Sequence, residues 1–319
     1  MKKILLLLML TITFATSRSY ATTWDEPWAD KVIKDATSFV LAKVVATDEQ
    51  RGITLQVIKT LGGQPLKDNL TITGFYLLHL CSTSAGHGPE FYTTPTDSCY
   101  FFIQQNKAGN YCIATPTTGY DYAENGNVRA TFRHSYHQAL APVAVYEKTM
   151  TAIFNNYHGA PYDQAYISSF VKEQLSKKPA GFGEDEIHTF FLQHVALECV
   201  HHLKLNTGES LILPFLEDSK NFHNQVSAAR AMAAFNTAGS KEALLKVIGD
   251  TTRRGFVQVM CVWSLGEMNA QSIKPQLEAL VKHANEEEDD FGGNIMDPRI
   301  CTDVPSVKEA LESLIAKLG

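Results

Sequence analysis

The sequence predicts an α+β multidomain chain, a small β-barrel followed by an array of α-helix pairs. Between Ala36 and Ala114 the apolar residues recur with a period near two, broken by turn residues. From about residue 143 onward the period becomes helical. The length of 319 residues also exceeds the usual size of one domain.

The N-terminus stands apart from both halves. Lys2 and Lys3 precede an apolar run from Ile4 to Ala15, interrupted only by Thr11 and Thr13, and a polar stretch ends in Ser19-Tyr20-Ala21. A charged start, a short apolar core and small residues at the end predict a secretory signal peptide over residues 1–21. The run is short for a bilayer span, which needs about 20 apolar residues. No cysteine follows it to carry a lipid. The chain is therefore expected to be exported, to the periplasm or the extracellular space, and not membrane-embedded after cleavage. Removing residues 1–21 takes away three positive charges and moves the net charge from −6 to −9. An acidic chain without a basic block excludes nucleic acid as an expected partner, because phosphate binding needs clustered Lys and Arg.

Export places the six cysteines, Cys81, Cys99, Cys112, Cys199, Cys261 and Cys301, where disulfides persist. No CxxC pair occurs, so zinc-ribbon and thioredoxin-like readings lack their basic element. Three fall in each half, which leaves at least one thiol free in each unless a bridge crosses between halves. One bridge per half with buried thiols is the expectation.

In the first half, Ser38 to Ala46 is rich in β-branched residues, Ile53 to Leu61 alternates and stops at Gly62-Gly63, and Leu70 to Phe75 follows. Tyr100 to Ile103 and Tyr111 to Ala114 flank Asn106-Lys107-Ala108-Gly109, a hairpin turn. Five short strands with no helix between them indicate a closed or nearly closed barrel. The Gly-, Pro-, Ser- and Thr-rich segment from Ser82 to Ser98 reads as a loop.

This run, SFVLAKVVA, TLQVIKTLGG, LTITG, Cys81, YFFIQ and Cys112, resembles the OB-fold domain of netrin-like modules and tissue inhibitors of metalloproteinases. The resemblance covers about residues 30–115 and assigns residues 22–118 to an OB-like domain. It implies a Cys81–Cys112 bridge, worth about 3–4 kcal/mol by loop entropy. Cys99 offers Cys81 an alternative partner across the same loop. The inhibitors of that family chelate a protease zinc through an N-terminal cysteine. Here Thr22-Thr23-Trp24 would begin the mature chain, so that chemistry is not implied.

Residues 119–184 are expected to be a linker with connecting helices, a Gly- and Asn-rich stretch from Thr117 to Asn127 leading to helices over Val143 to Tyr157 and Ala165 to Lys177. In residues 185–319, Leu203 to Asp218 aligns with Phe235 to Asp250 at an offset of 32, and Leu265 to Leu280 follows about 30 later. Two helices per unit at that period indicate an α-solenoid. VSAARAMAAFNTAGSKEALLKVI and VQVMCVWSLGEMNAQSIKPQLEALV resemble HEAT-like repeats related to the phycobilisome lyase repeats, with Val307 to Leu318 as the closing helix. Nothing suggests a tetrapyrrole, and no cofactor is expected. The repeat implies an extended surface for a partner.

His194, Glu198 and His201 stand at i, i+4 and i+7, on one helical face that could hold a metal. The wheel places Val195, Ala196, Cys199 and Leu203 opposite, so a solvated polar face is the simpler expectation. Glu286 to Asp290 lacks the alternation of a calcium loop and reads as solvated surface. His134 and His137 could join Tyr120, Asp121 or Tyr122, but no nucleophile motif, GxSxG, Walker loop or GxGxxG accompanies them. The sequence thus predicts no catalytic set. It predicts an exported binding protein whose partner is another protein, contacted by barrel loops and helical repeats. The competing expectations are a metal-dependent hydrolase with a His/carboxylate site between domains and a protease inhibitor acting through barrel loops.

Overall fold

The computed structural model describes residues 23–48, 51–82, 89–206, 208–287, 299–302 and 304–319. The expected leader and residues 288–290 of the acidic run lie outside the described residues. The chain opens with β1 (Thr23–Asp25) and a short helix, α1 (Ala29–Asp35). There follow β2 (Ser38–Asp48), β3 (Gly52–Gly63), β4 (Asn69–Phe75), β5 (His79–Ser82), β6 (Ser98–Gln105) and β7 (Tyr111–Ile113).

Five of these strands close a barrel. β2, β3 and β4 form an antiparallel meander, β4 pairs in parallel with β7, β7 runs antiparallel to β6, and β6 returns to β2. Alternation fills the interior: Val40, Ala42 and Val44 of β2 meet Ile53, Leu55, Ile72, Phe101 and Ile103 in one buried cluster. The tight return from β2 to β3 needs glycine. Gly52 has φ +88°, and a Cβ there would lie 1.9 Å from the Ile72 carbonyl oxygen. At the β6–β7 turn the Asn106 side chain accepts from the backbone of Ala108 and Asn110.

The segment expected to be a linker instead continues the sheet. β8 (Tyr120–Glu124), β9 (Asn127–His134) and β10 (His137–Pro142) add to the barrel in the order β6–β8–β9–β10. Asn125 and Gly126 both take positive φ, 51° and 77°, which suits the tight hairpin between β8 and β9.

The helices follow: α2 (Val143–Tyr157), α3 (Gln164–Leu175), α4 (Ile187–Leu203), α5 (Leu213–Glu217), α6 (Phe222–Met232), α7 (Ala238–Ile248), α8 (Gly255–Gly266), α9 (Lys274–Val281) and α10 (Val307–Lys317). Side chains cap the starts of four of them. Asp163 and Asn221 accept from the backbone of Tyr166 and Asn224, and Thr237 and Ser306 form capping boxes. α4, α6, α8 and α10 pack side by side in chain order. The outward face of the barrel joins them: Phe39 and Phe102 stack at 4.9 Å, and Phe39 lies 5.9 Å from Phe154 of α2. One continuous apolar core therefore runs from β2 to α10.

A second, small sheet sets β1 between β5 and β11 (Ile300–Cys301). It carries the disulfide, which joins Cys81 to Cys301. This corrects the expected Cys81–Cys112 bridge. Cys112 sits in β7, where its thiol donates to the Gln104 carbonyl, and Cys99 points into the barrel core. The bridge crosses between the two halves, so Cys99, Cys112, Cys199 and Cys261 are all buried free thiols.

Alkylation of the denatured, unreduced chain is expected to label Cys99, Cys112, Cys199 and Cys261, with Cys81 and Cys301 labelled only after reduction. Because the bridge spans a sequence separation of 220, Cys81→Ser is expected to lower unfolding stability by up to about 5 kcal/mol, the loop-entropy limit, in chemical denaturation.

Candidate functional site

The polar face predicted on α4 does not meet water. Every residue from Gln193 to Leu203 is buried, because α3 and α6 flank this helix and β10 and α2 cover it. A polar side chain in such a place must find partners, and α6 and α1 supply them. Glu198 accepts from Ser227 Oγ at 2.7 Å and from Arg230 Nε at 3.0 Å. Arg230 turns its other end to Asp30 of α1, donating to both carboxylate oxygens at 3.2 and 3.1 Å. One guanidinium thus bridges two carboxylates that stand 168 positions apart in the chain.

Ser227 extends the network to β9. Its only proton goes to Glu198, so it accepts from Arg133 Nη1 at 2.8 Å and from His194 Nδ1 at 3.0 Å. His194 is thereby fixed with its proton on Nδ1, and its Nε2 is buried with no hydrogen-bond partner among the described residues. His137 packs against it at 4.4 Å and stacks on His223 at 4.3 Å.

The expected trio therefore divides. His194 faces Ser227 and β10, Glu198 is held by Arg230, and only His201 turns toward a cluster that can bind a metal. That cluster is Asp30, His201 and His202. His201 Nε2 lies 2.9 Å and His202 Nδ1 3.3 Å from Asp30 Oδ1. The Tyr157 hydroxyl lies 2.9 Å from His202 Nδ1. Asp30, His202 and Arg230 were not singled out from sequence. Arg230 did leave a trace, as a lone charge inside the small apolar run VSAARAMAA. The Asp30 contact depends on packing between distant segments and left none.

The other candidate constellation does not assemble. His134 Nε2 lies 3.1 Å from the Glu26 carbonyl, while Asp121 accepts from the Tyr146 hydroxyl at 2.6 Å and from Thr131 N at 3.0 Å.

Trp28, just before α1, joins this polar core to a cavity. Its ring lies 5.1 Å from His134, 5.7 Å from Trp263 of α8 and 5.3 Å from the Arg230 guanidinium. Its other side lines a cavity of about 350 Å³ with Glu26, Lys31, Leu77, His79 and Val304. The walls come from the N-terminal segment, the end of the barrel and the residues before α10. Comparison with known proteins adds no relative: no family model, no curated protein and no solved structure matches the chain.

Burial sets the protonation of these groups. It pushes His194 down to about 3 and His202 and His134 down to about 4, so all three are neutral at pH 7. Burial alone would raise Glu198, but the Arg230 charge, helped by His194 and Arg133, outweighs it and holds Glu198 near 2. Burial raises Asp121 to about 6, because its two hydrogen bonds do not compensate.

Acid is therefore expected to unfold the protein. Below pH 6.5 the unfolded histidines take up protons that the folded ones refuse until about pH 4 or 3, so their stabilising contribution is complete above pH 6.5 and is lost as pH falls. Each adds a slope of about 1.4 kcal/mol per pH unit in that window. Glu198 extends the loss from pH 4.5 toward 2. Asp121 acts in the opposite direction, its contribution being present below pH 3.8 and lost as pH rises through about 6, and it offsets less than one histidine. Melting temperature measured from pH 7 to 4 should fall steeply; a flat profile would contradict the buried neutral histidines. Arg230→Met is expected to destabilise by about 3–5 kcal/mol in urea, because it strands a buried charge. A double change with Glu198→Leu should recover part of that loss.

Proposed function

We propose that the chain is an exported binding protein that recognises another protein, with the cavity beside Trp28 as the anchor point. The observation that carries this reading is how the cavity is built. Side chains from three distant parts of the chain, Asp25 to Trp28 with Lys31, Leu77 with His79, and Thr302 with Val304, converge with His134 around one half-buried tryptophan, and the Cys81–Cys301 bridge lies in the adjoining sheet. Its volume of about 350 Å³ suits one anchoring side chain. An apolar floor of Trp28 and Leu77 beneath a rim of Asp25, Lys31 and His79 has the composition of an interface hot spot.

Other features support the same reading at a coarser level. Numbering the barrel strands in chain order gives the circuit 1-2-3-5-4-1, which supports an OB-like, netrin-like origin for the first half. Helices α4, α6 and α8 stack in order and each is followed by another helix before the next of them begins, which supports the HEAT-like description of the second. A bridge between halves suits an oxidising compartment, and the leader-like N-terminus points the same way.

The test is capture from envelope and culture-fluid extracts on the wild-type chain beside His79→Trp and Thr302→Trp, which fill the cavity from its exposed rim. A protein held by the wild type is expected to be lost from both variants at unchanged circular dichroism. Equal retention by the filled variants would overturn the cavity as the anchor.

A further inference from the structure

We propose that Asp30, His201 and His202 form a site for a divalent transition-metal ion, which would fasten α1 to α4. The inference starts from where the imidazole protons are. His201 Nδ1 lies 3.1 Å from the Arg230 carbonyl oxygen, and His202 Nε2 lies 2.7 Å from that of Phe132. A carbonyl oxygen only accepts, so each of these nitrogens carries a proton. The opposite nitrogens, His201 Nε2 and His202 Nδ1, then present lone pairs in the neutral rings. Both lone pairs meet the same atom, Asp30 Oδ1, at 2.9 and 3.3 Å.

A carboxylate oxygen has no proton to give. Three electron-pair donors that converge in this way repel one another unless a cation is shared between them. The Tyr157 hydroxyl relieves one contact, since it lies 2.9 Å from His202 Nδ1 and 3.2 Å from Asp30 Oδ1 and can donate to either. The approach of His201 Nε2 to Asp30 still requires a cation. A proton would satisfy it as an imidazolium–carboxylate pair. A metal ion would satisfy all three donors together.

The spacing suits the metal. Ligands bound at about 2.0–2.1 Å around a tetrahedral zinc stand roughly 3.4 Å apart, and the three donor atoms here lie within 4.8 Å of one another. Metal-binding histidines characteristically donate the far N–H to a carbonyl or carboxylate, which fixes tautomer and ring orientation. Both histidines already do so. Two imidazole nitrogens and one carboxylate oxygen suit zinc and its first-row neighbours, whereas calcium and magnesium prefer oxygen. His201 and His202 are buried, but Asp30 keeps 31% of its side chain exposed, so an ion can approach from that side. Arg230 shares the Asp30 carboxylate at 3.1 Å and weakens its hold on a second cation. Micromolar rather than tighter binding is the expectation. The inference stands independently of what occupies the cavity beside Trp28.

The test uses the tag-free chain with Zn(II) and Co(II) alone. Equilibrium dialysis at micromolar free zinc followed by atomic spectrometry is expected to find one equivalent retained. Asp30→Asn and His201→Gln should weaken retention by more than about 10–100-fold, the loss that follows when only a ligand's hydrogen-bond partner is removed. A control replacing the exposed His188 and His283 with Gln should keep it. Should the site variants fail to fold, the wild type decides alone: Co(II) is expected to give the intense visible bands of a four-coordinate ion, displaced by zinc. Negligible zinc retention, undiminished retention by a folded His201→Gln chain, or only the pale spectrum of hydrated cobalt would each overturn the proposal.

Discussion

Arg230 holds two carboxylates that the rest of the architecture must bring to it. Glu198 reaches it from α4, one helix away, while Asp30 reaches it from α1 near the N-terminus. Charges buried at this depth are tolerated only when paired and fully hydrogen-bonded, and breaking such a set costs far more than forming it contributes. The network therefore acts mainly as a register. If α1 or α6 docked one turn away, a carboxylate would be left buried without its guanidinium. Ser227 carries the same constraint onward to Arg133 of β9, so barrel extension, N-terminal helix and helical array share one alignment.

The apolar packing fits around that alignment. Phe39, Phe102 and Phe154 weld the outer face of the barrel to α2, and Trp28 reaches α6 and α8 from the opposite end of α1. This explains why the sheet does not stop at the barrel. β8 to β10 lengthen it until it can support α2 and α4, turning an apparent linker into the seam between halves. The seam is also where chemistry collects, because burial there drives imidazoles neutral and leaves their lone pairs available as ligands.

The covalent tie reinforces the same seam from outside. Cys81 ends the barrel's excursion through β5, and Cys301 lies just ahead of the last helix. Joined, they place β1 between β5 and β11, close to the Trp28 cavity. A bridge within the barrel, as the family resemblance implied, would have stapled a loop. The observed one clamps β5, within the first half, to the segment just ahead of the last helix.

Local signals in the sequence were enough for the barrel strands and most helices. Alternation at Val40, Ala42 and Val44 and the Asn106–Gly109 turn are short-range patterns, and backbone geometry translates them directly. The Asn125-Gly126 hairpin was legible in the same way, although Gly and Asn there read as linker. What the sequence could not determine was which neighbours each face would meet. His194, Glu198 and His201 share a helical face whether that face is wet or dry, and only the docking of the surrounding helices and β10 made it dry. Asp30, Arg230, His202 and the Cys81–Cys301 pair were equally beyond reach. The partners that Asp30, Arg230 and Cys81 find lie between 32 and 220 positions away, and contact at that range is fixed by how whole elements pack rather than by any local preference. The sequence by itself determined the barrel strands and the main helices; tertiary packing extended the sheet through β8 to β10 and decided which polar groups would be buried together, and with them the site.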